Sequence, residues 1–457
     1  MPRSNTHAVT NPRDAAYRHI ARQADRMPDL GLFDLHTGSM DARDASLAHA
    51  IVEGAITRWL TLDYIISTLS QRQLRDQEPR MQAVLLGGAS QLLLMDRVPP
   101  HAVIDESVEW AKANIRPGAG GMVNAILRKV ARAKGGRIEA WDHHLDAIPR
   151  SDGSGLKLFG LELPTSGLHR VSIACSISSQ LIQRWENQYQ DPTIPAMHTL
   201  CRPPTTIYVA HAQTPIDDLE LNPHDSPNHR IFAGKRAELI ELLAARPDLW
   251  VQDAASSRVV DELELAHAPK LIIDLCAGQG TKTRQLRARF PDAQIIAAEV
   301  DETRLDTLKA VFQGDDQVHA MPVDTLMKTE LGRADVVLTD VPCSNTGVLA
   351  RRREARYRPM KTQLARLIPT QRSIVRNAEA LLKPGGTLVY STCSLETEEN
   401  EEQVEWISSK LAMTLQSQSR VTPAGLPGEP GAGYRDGAFS AQLRKSTQQT
   451  NPQSGDK

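Results

Sequence analysis

Hydrophobic positions recur at two different spacings along this 457-residue chain, and the change between them divides it. Leu47, Ile51, Ala55 and Trp59 follow helical spacing, as do Met81, Val84, Leu85, Leu92 and Met95. Ile104, Val108, Ala111 and Ile115 repeat the pattern, then Val123, Ile126, Leu127 and Val130. Pro99-Pro100 and Pro117-Gly118 punctuate these stretches, so residues 11–134 are expected to form an all-α domain. A Gly-, Ser- and Asp-rich connection follows, up to Gly155. Residues 155–250 carry a weaker signal: a helix over Ile177–Tyr189, a strand over Ile207–Val209 and a helix over Lys235–Ala245, together a small α+β linker subdomain.

Beyond residue 269 short apolar runs appear at Leu271–Leu275, Gln294–Ala298, Val318–Met321, Val336–Leu338 and Thr387–Tyr390. Helical stretches at Lys282–Phe290, Thr303–Phe312 and Gln363–Leu382 separate most of them. Strands alternating with helices predict a parallel sheet with right-handed crossovers, so 251–445 is expected to be a Rossmann-like α/β domain. The polar tail, 446–457, is expected to be disordered.

Composition narrows the function classes. Hydrophobic residues at 40 % and charged residues at 24 % fit a soluble globular protein. A net charge of −2 argues against uniform coating of nucleic acid but leaves room for a local basic patch. The five cysteines (175, 201, 276, 343, 393) form no C-x-x-C pair, which argues against a zinc site and a disulfide framework. His198, His211, His224 and His229 lack metal-ligand periodicity. No signal-peptide core opens the chain, and the longest apolar stretch is too short for a bilayer. A cytoplasmic protein with reduced thiols, no metal and no membrane partner is expected, as a monomer.

The chemistry gathers at strand ends. Asp274–Thr283, DLCAGQGTKT, follows the first strand of the α/β pattern and opens a helix. Cys276, Ala277, Gly278, Gln279, Gly280, Thr281 and Lys282 make its loop, and Glu299 ends the next strand, where a carboxylate can bind ribose hydroxyls. No G-x-G-x-x-G is present. Asp-x-x-x-Gly-x-Gly with a following acid therefore suits S-adenosylmethionine better than NAD, with Asp324 placed for the adenine amino group. A further strand ends in Asp340, with Cys343 three residues on, and another ends in Cys393. Thiolates at two strand ends beside a cofactor loop suggest nucleophilic catalysis. From Arg351 to Arg376 nine basic residues face one acid, Glu354; Arg351, Arg352 and Arg356 are the leading candidates for nucleic-acid phosphates. The acidic run Glu396–Glu405 reads as a helix start, whose positive end favours carboxylates.

Three stretches, DLCAGQGTKT, DVPCSNTGVLARR and VYSTCSLETEENE, resemble the RNA cytosine-5 methyltransferases of the NOL/NOP/Sun type. MDRVPPHAVIDESVEWAK with GGMVNAILRKV resembles the NusB antitermination factor, a docking module for RNA or protein. Val251–Ser256 and Arg435–Lys445 also look like family segments, so the likeness spans most of 11–445, in the layout of the bacterial enzymes for small-subunit ribosomal RNA. The resemblance implies S-adenosylmethionine as cofactor, Cys393 as nucleophile and Cys343 assisting breakdown of the adduct. It also implies that Asp340, at the edge of the cofactor site, binds the cytosine ring nitrogen and amino group, a role that burial of its carboxyl would favour. Asn400 matches the family's E-E-N and is expected to orient the cytosine site. Gly278, Gln279 and Thr281 depart from the family's Ala, Pro and Gly, and Thr281 would be strained if that position needed positive φ. Pro203-Pro204 is followed by Tyr208 and Ala210 where the family has Arg and Asn, and Asn345 stands where it has Gly. Two other readings stay open: a non-catalytic RNA-binding assembly factor with a weakened cofactor loop, and a DNA cytosine methyltransferase, suggested by Pro342-Cys343.

Overall fold

A computed structural model of the chain describes residues 11–189, 191–411 and 413–447, so the expected tail lies outside the described residues from 448 on. Two compact units emerge. One holds residues 11–202, 349–360 and 426–429; the other holds 203–348, 361–425 and 430–447. The segment expected as one subdomain, 155–250, is thus divided between them.

The first unit begins with six helices: α1 (Pro12–Ala24), α2 (Ala42–Thr57), α3 (Trp59–Ser70), α4 (Pro79–Leu94), α5 (Pro100–Asn114) and α6 (Ala119–Ala133). Asn11 caps α1 by accepting from the Arg13 and Asp14 amides, and Pro12 takes the first turn, where no N–H is required. Buried residues cover nearly every face of α4, which makes it the central helix. Its Gly87 and Gly88 allow that close packing, because a Cβ there would meet the Tyr17 ring at 2.5 Å and Leu127 at 2.8 Å. A three-stranded antiparallel sheet follows, β1 (Lys134–Ile138), β2 (Ala147–Pro149) and β3 (Gly155–Leu158), in the order β1-β3-β2. Helices α7 (Gly167–Cys175), α8 (Ser179–Gln188) and α9 (Thr193–His198) complete the first pass.

Residues 349–360 then return to this unit as a strap. Arg356 is fully buried, and its guanidinium donates to the carbonyls of Thr57 (3.0 Å), Leu349 (3.4 Å) and Thr199. Burial lowers its pKa to about 10. Tyr357 donates its hydroxyl to the Ile56 carbonyl at 2.5 Å and lies 3.0 Å from the Ser176 hydroxyl. Arg353 pairs with Glu53 and Arg358 with Asp29. The expectation of Arg356 as a phosphate contact is therefore corrected. Backbone carbonyls occupy its guanidinium, and solvent does not reach it. Arg351 and Arg352 are exposed.

The second unit opens with β4 (Thr205–Tyr208), β5 (Leu221–Pro223), β6 (His229–Phe232), α10 (Arg236–Ala245) and β7 (Trp250–Val251), an antiparallel sheet in the order β5-β6-β4-β7. The main body follows: α11 (Ala254–Asp261), β8 (Leu271–Asp274), α12 (Thr281–Arg289), β9 (Gln294–Glu299), α13 (Glu302–Val311), β10 (Val318–Pro322), α14 (Val323–Thr329), β11 (Ala334–Asp340), α15 (Met360–Leu381), β12 (Leu382–Thr392), α16 (Glu401–Lys410), β13 (Met413–Val421) and β14 (Ala438–Lys445). Their seven strands run in the order β10-β9-β8-β11-β12-β14-β13, parallel as far as β12 and antiparallel beyond it. Residues alternate between two buried faces. Ile273, Val337 and Leu388 join one core cluster; Ile272, Val336, Leu338 and Val389 join the other. Among the described residues no helix is long and apolar enough to cross a membrane.

His229 is fully buried on β6. Its Nδ1 lies 2.9 Å from the Ser226 hydroxyl, while among the described residues Nε2 has no hydrogen-bond partner. Burial first, then His224 nearby, lowers its pKa from 6.5 to about 4. Between those values the unfolded chain binds a proton that the folded chain refuses. Stability is therefore full above pH 6.5 and falls as pH drops towards 4, by roughly 2 kcal/mol at pH 5 from this group. His229→Phe should flatten the pH dependence of the urea midpoint between pH 7 and 5; an unchanged slope would refute the assignment. For the strap, Arg356→Ala removes a donor from three carbonyls and should cost on the order of 3 kcal/mol of stability, read as a fall in melting temperature. Lost RNA affinity at unchanged stability would return Arg356 to the phosphates.

Candidate active site

The cofactor loop grows out of β8. The Leu275 amide donates to Leu338, the Ala277 amide to Ala298 and the Gly280 amide to Ala277, so the turn is pinned to both neighbouring strands and to itself. Positive φ falls on Gly278 (57°) and Gly280 (88°). Thr281 is the first residue of α12 and needs no such conformation, so the strain expected there does not arise. At Gly280 a Cβ would come within 2.8 Å of the Phe312 ring, whereas at Gly278 it would meet open space. A positively wound turn feeding a helix N-terminus leaves amides free to face a ligand.

Two carboxylates border this loop. Glu299, at the end of β9, accepts from the amides of Gly278 (3.0 Å), Val300 (2.8 Å) and Asp301 (3.0 Å). Asp274, at the end of β8, is buried; Thr283 donates to its Oδ2 at 2.7 Å, the Cys276 amide lies near the carboxylate, and among the described residues its Oδ1 has no well-formed hydrogen bond. Burial raises the Asp274 pKa to about 6. Asp324 stands exposed in the first turn of α14. Val300, 81 % exposed beside Glu299, was not singled out from sequence. An apolar residue directly after a strand-end acid was the available signal. Burial, then Asp274, push the Cys276 thiol pKa up, which disfavours a thiolate there.

The thiol site is built on the β11–β12 pair. Asp340 stands opposite Ser391 in register, and the Val341 amide donates to the Ser391 carbonyl. The loops that continue both strands bring the sulfurs of Cys343 and Cys393 to 3.1 Å, both as free cysteines. Asn345 takes positive φ (63°), a conformation asparagine tolerates better than other non-glycine residues. Its Nδ2 donates to the Cys343 carbonyl at 2.9 Å, and its Oδ1 accepts from the Cys393 thiol at 3.2 Å. Asn400 accepts from the Thr392 hydroxyl (2.6 Å) and donates to the Ser394 carbonyl (2.9 Å), holding the turn around Cys393.

Burial of its carboxyl was the condition expected to favour Asp340, yet its side chain is 36 % exposed. Instead Lys282 donates to its Oδ2 at 2.6 Å and the Ser391 hydroxyl to its Oδ1 at 2.9 Å. Burial alone would lower the Lys282 pKa, but the Asp340 carboxylate and the hydrogen bond to it outweigh burial and raise it. The Lys282 side chain is thereby paired with Asp340, while its backbone stays in the first turn of α12. Farther along the basic run, Arg372 and Arg376 both lie over the Trp406 ring, at 4.9 and 5.1 Å.

A parallel sheet closed by an antiparallel pair, a glycine turn after its first strand and an acid after its second define a Rossmann-like methyltransferase. Residues 263–443 match the family model described as 16S rRNA methyltransferase RsmB/F, and residues 10–132 match the NusB family. The chain is thus similar to the RsmB/F methyltransferases over its C-terminal part and to NusB over its N-terminal part. The probable ribosomal RNA small subunit methyltransferase B of Synechocystis is 28 % identical over 419 residues, covering 88 % of this chain and 92 % of the relative. The ribosomal RNA small subunit methyltransferase B of Klebsiella pneumoniae is 29 % identical over 429 residues, covering 88 % and 90 %. The crystal structure of PH0851 has the same fold, with a TM-score of 0.68 over 95 % of this chain and 99 % of the other, at 20 % identity.

Proposed function

We propose that the protein forms 5-methylcytosine in RNA, through a covalent adduct between Cys393 and the base. Small-subunit ribosomal RNA is the substrate that its relatives' names suggest. The observation that carries this reading is the meeting of two free thiols, 3.1 Å apart, beside the Asp340–Lys282 pair.

Carbon 5 of cytosine becomes nucleophilic only after carbon 6 is attacked. The Cys393 thiolate gives its electron pair to a new S–C6 bond, and the C5=C6 π electrons pass to carbon 5. Asp340, held by Lys282 and Ser391, accepts from the amino group, and from the ring nitrogen when that nitrogen carries a proton, and orients the ring for that attack. S-adenosylmethionine, when bound, supplies an electrophilic methyl group. A base must then take the carbon 5 proton; the C5=C6 bond re-forms and the Cys393 sulfur leaves as thiolate, a breakdown that Cys343 assists. The cytosine must be out of its stack for a thiol to reach carbon 6, so single-stranded or loop RNA is the fitting target. The NusB domain, with the exposed Arg351 and Arg352, is suited to docking it. A ribosomal RNA substrate fits a cytoplasmic place of work.

The residues present fit the cofactor. The Asp274 Oδ1, which has no well-formed hydrogen bond among the described residues, suits its ammonium group, Glu299 its ribose hydroxyls, Val300 an adenine face and Asp324 the adenine amino group. The amides from Cys276 to Lys282 wrap the remainder. Glu299→Ala should weaken S-adenosylmethionine binding by about tenfold or more, since an ionised acceptor is worth roughly 1.5–3 kcal/mol per bond. Calorimetry that finds no binding by the unmodified protein would instead favour an assembly factor without catalysis.

The thiols are separated by the order of steps. Cys393→Ala should form no adduct with RNA, while Cys343→Ala should attack, methylate and stall, remaining bound on a denaturing gel. RNA containing 5-fluorocytosine should trap the unmodified enzyme too, because fluorine cannot leave as a proton. The reverse pattern would make Cys343 the attacking group, as in a DNA-type mechanism.

A further inference from the structure

One buried charge near the thiols has no place in the steps above. Glu399 lies in a short 3-10 turn (Thr397–Glu399) and is fully buried. Its Oε1 accepts from the Ser344 amide (2.9 Å) and from Gln371 Nε2 (2.9 Å); its Oε2 accepts from the Ser344 hydroxyl (2.5 Å). Gln371 Nε2 also donates to the Pro342 carbonyl at 3.0 Å. The carboxylate thus grips the chain on both sides of Cys343, directly through Ser344 and through Gln371 at Pro342. Every one of these hydrogen-bond partners is neutral. A carboxylate buried among neutral donors is screened less than one in water, and the Arg372 charge, which acts on Tyr390 beside it, is not among its hydrogen-bond partners.

We propose that Glu399 is a positioning residue that assigns different roles to the two thiols: it fixes Cys343 against Cys393 and, by its charge, confines the thiolate to Cys393. This deepens the proposed function and rests on its choice of Cys393 as nucleophile. Two adjacent sulfurs cannot both ionise without strong repulsion, so the first proton leaves whichever is less opposed. Cys343 is opposed on several sides. The hydrogen bond with Cys393, then burial, the Cys393 charge and the Glu399 charge all push its pKa up. Tyr390, whose hydroxyl donates to the Glu399 carbonyl oxygen, also faces it and is itself held protonated by burial and Glu399. Cys393 is only half-buried, and its sulfur interacts electrostatically with the Lys282 ammonium. The Ser344 hydroxyl extends the grip to the other loop through Ser394 at 3.1 Å.

The experiment measures alkylation of the two cysteines in the reduced full-length protein, without RNA or cofactor. Iodoacetamide, whose thioether product the neighbouring thiol cannot displace, is the probe, and peptide mass spectrometry gives a pH midpoint for each thiol. In the wild type Cys393 should label at lower pH than Cys343. In Glu399→Gln, which keeps the shape and removes the charge, the Cys343 midpoint should fall by about one pH unit, cutting the preference for Cys393 at fixed pH about tenfold. Glu399→Asp keeps the charge and should hold the Cys343 midpoint high. A folded Glu399→Gln protein with an unmoved Cys343 midpoint overturns the proposal. So does a wild type in which Cys343 labels first, a result that needs no variant to fold. Loss of methylation activity leaves these labelling results untouched, so failure of the proposed function and failure of this inference are told apart.

Discussion

The parallel pairing of β11 with β12 is the constraint on which the site depends. Cys343 and Cys393 are fifty positions apart in the chain, and nothing local brings them together. The ladder does so by setting Asp340 opposite Ser391, after which both strands end together and both loops emerge on the same side. Because side chains alternate between faces, a slip of one residue would turn Asp340 away from Ser391 and separate the sulfurs. The apolar alternation that buries both faces of the sheet therefore also fixes the geometry of a polar site.

Beyond the ladder, the two loops are joined by short polar side chains rather than by apolar packing. Ser344, Thr346 and Ser394 lie within hydrogen-bond distance of one another, and Thr346 also accepts from the Leu395 amide. Small hydroxyl residues suit this role: they carry little rotamer entropy, and each can donate and accept. A site that must hold two sulfurs in contact without linking them benefits from such rigidity.

The sheet was legible because buried strands and amphipathic helices leave different periods in sequence, and residues 271–340 alternate between them clearly. The strand-end positions of Asp274, Glu299, Asp340 and Cys393 follow from that same reading. What escaped is information a linear pattern does not hold. A run of arginines gives no sign that one guanidinium is spent on the carbonyls of Thr57 and Thr199. The acids from Glu396 to Glu405 read as one helix start, yet α16 begins at Glu401, and Glu396 and Glu399 are buried before it. Lys282 pairs with Asp340 from a different strand–helix unit, a contact visible only once β8 and β11 are neighbours. The φ values at Gly278, Gly280 and Asn345 were likewise open until the turns had a shape.

The strap of residues 349–360 has a consequence for how the chain is made. The helical unit is not finished when Arg202 has been synthesised. The Ile56, Thr57 and Thr199 carbonyls, together with the Ser176 hydroxyl, still await Tyr357 and Arg356, which the ribosome adds only after β8, β9, β10 and β11. The N-terminal unit thus has to remain receptive while the first half of the catalytic sheet is being translated, and a gene cut between the two domains would leave the first without part of its own interior.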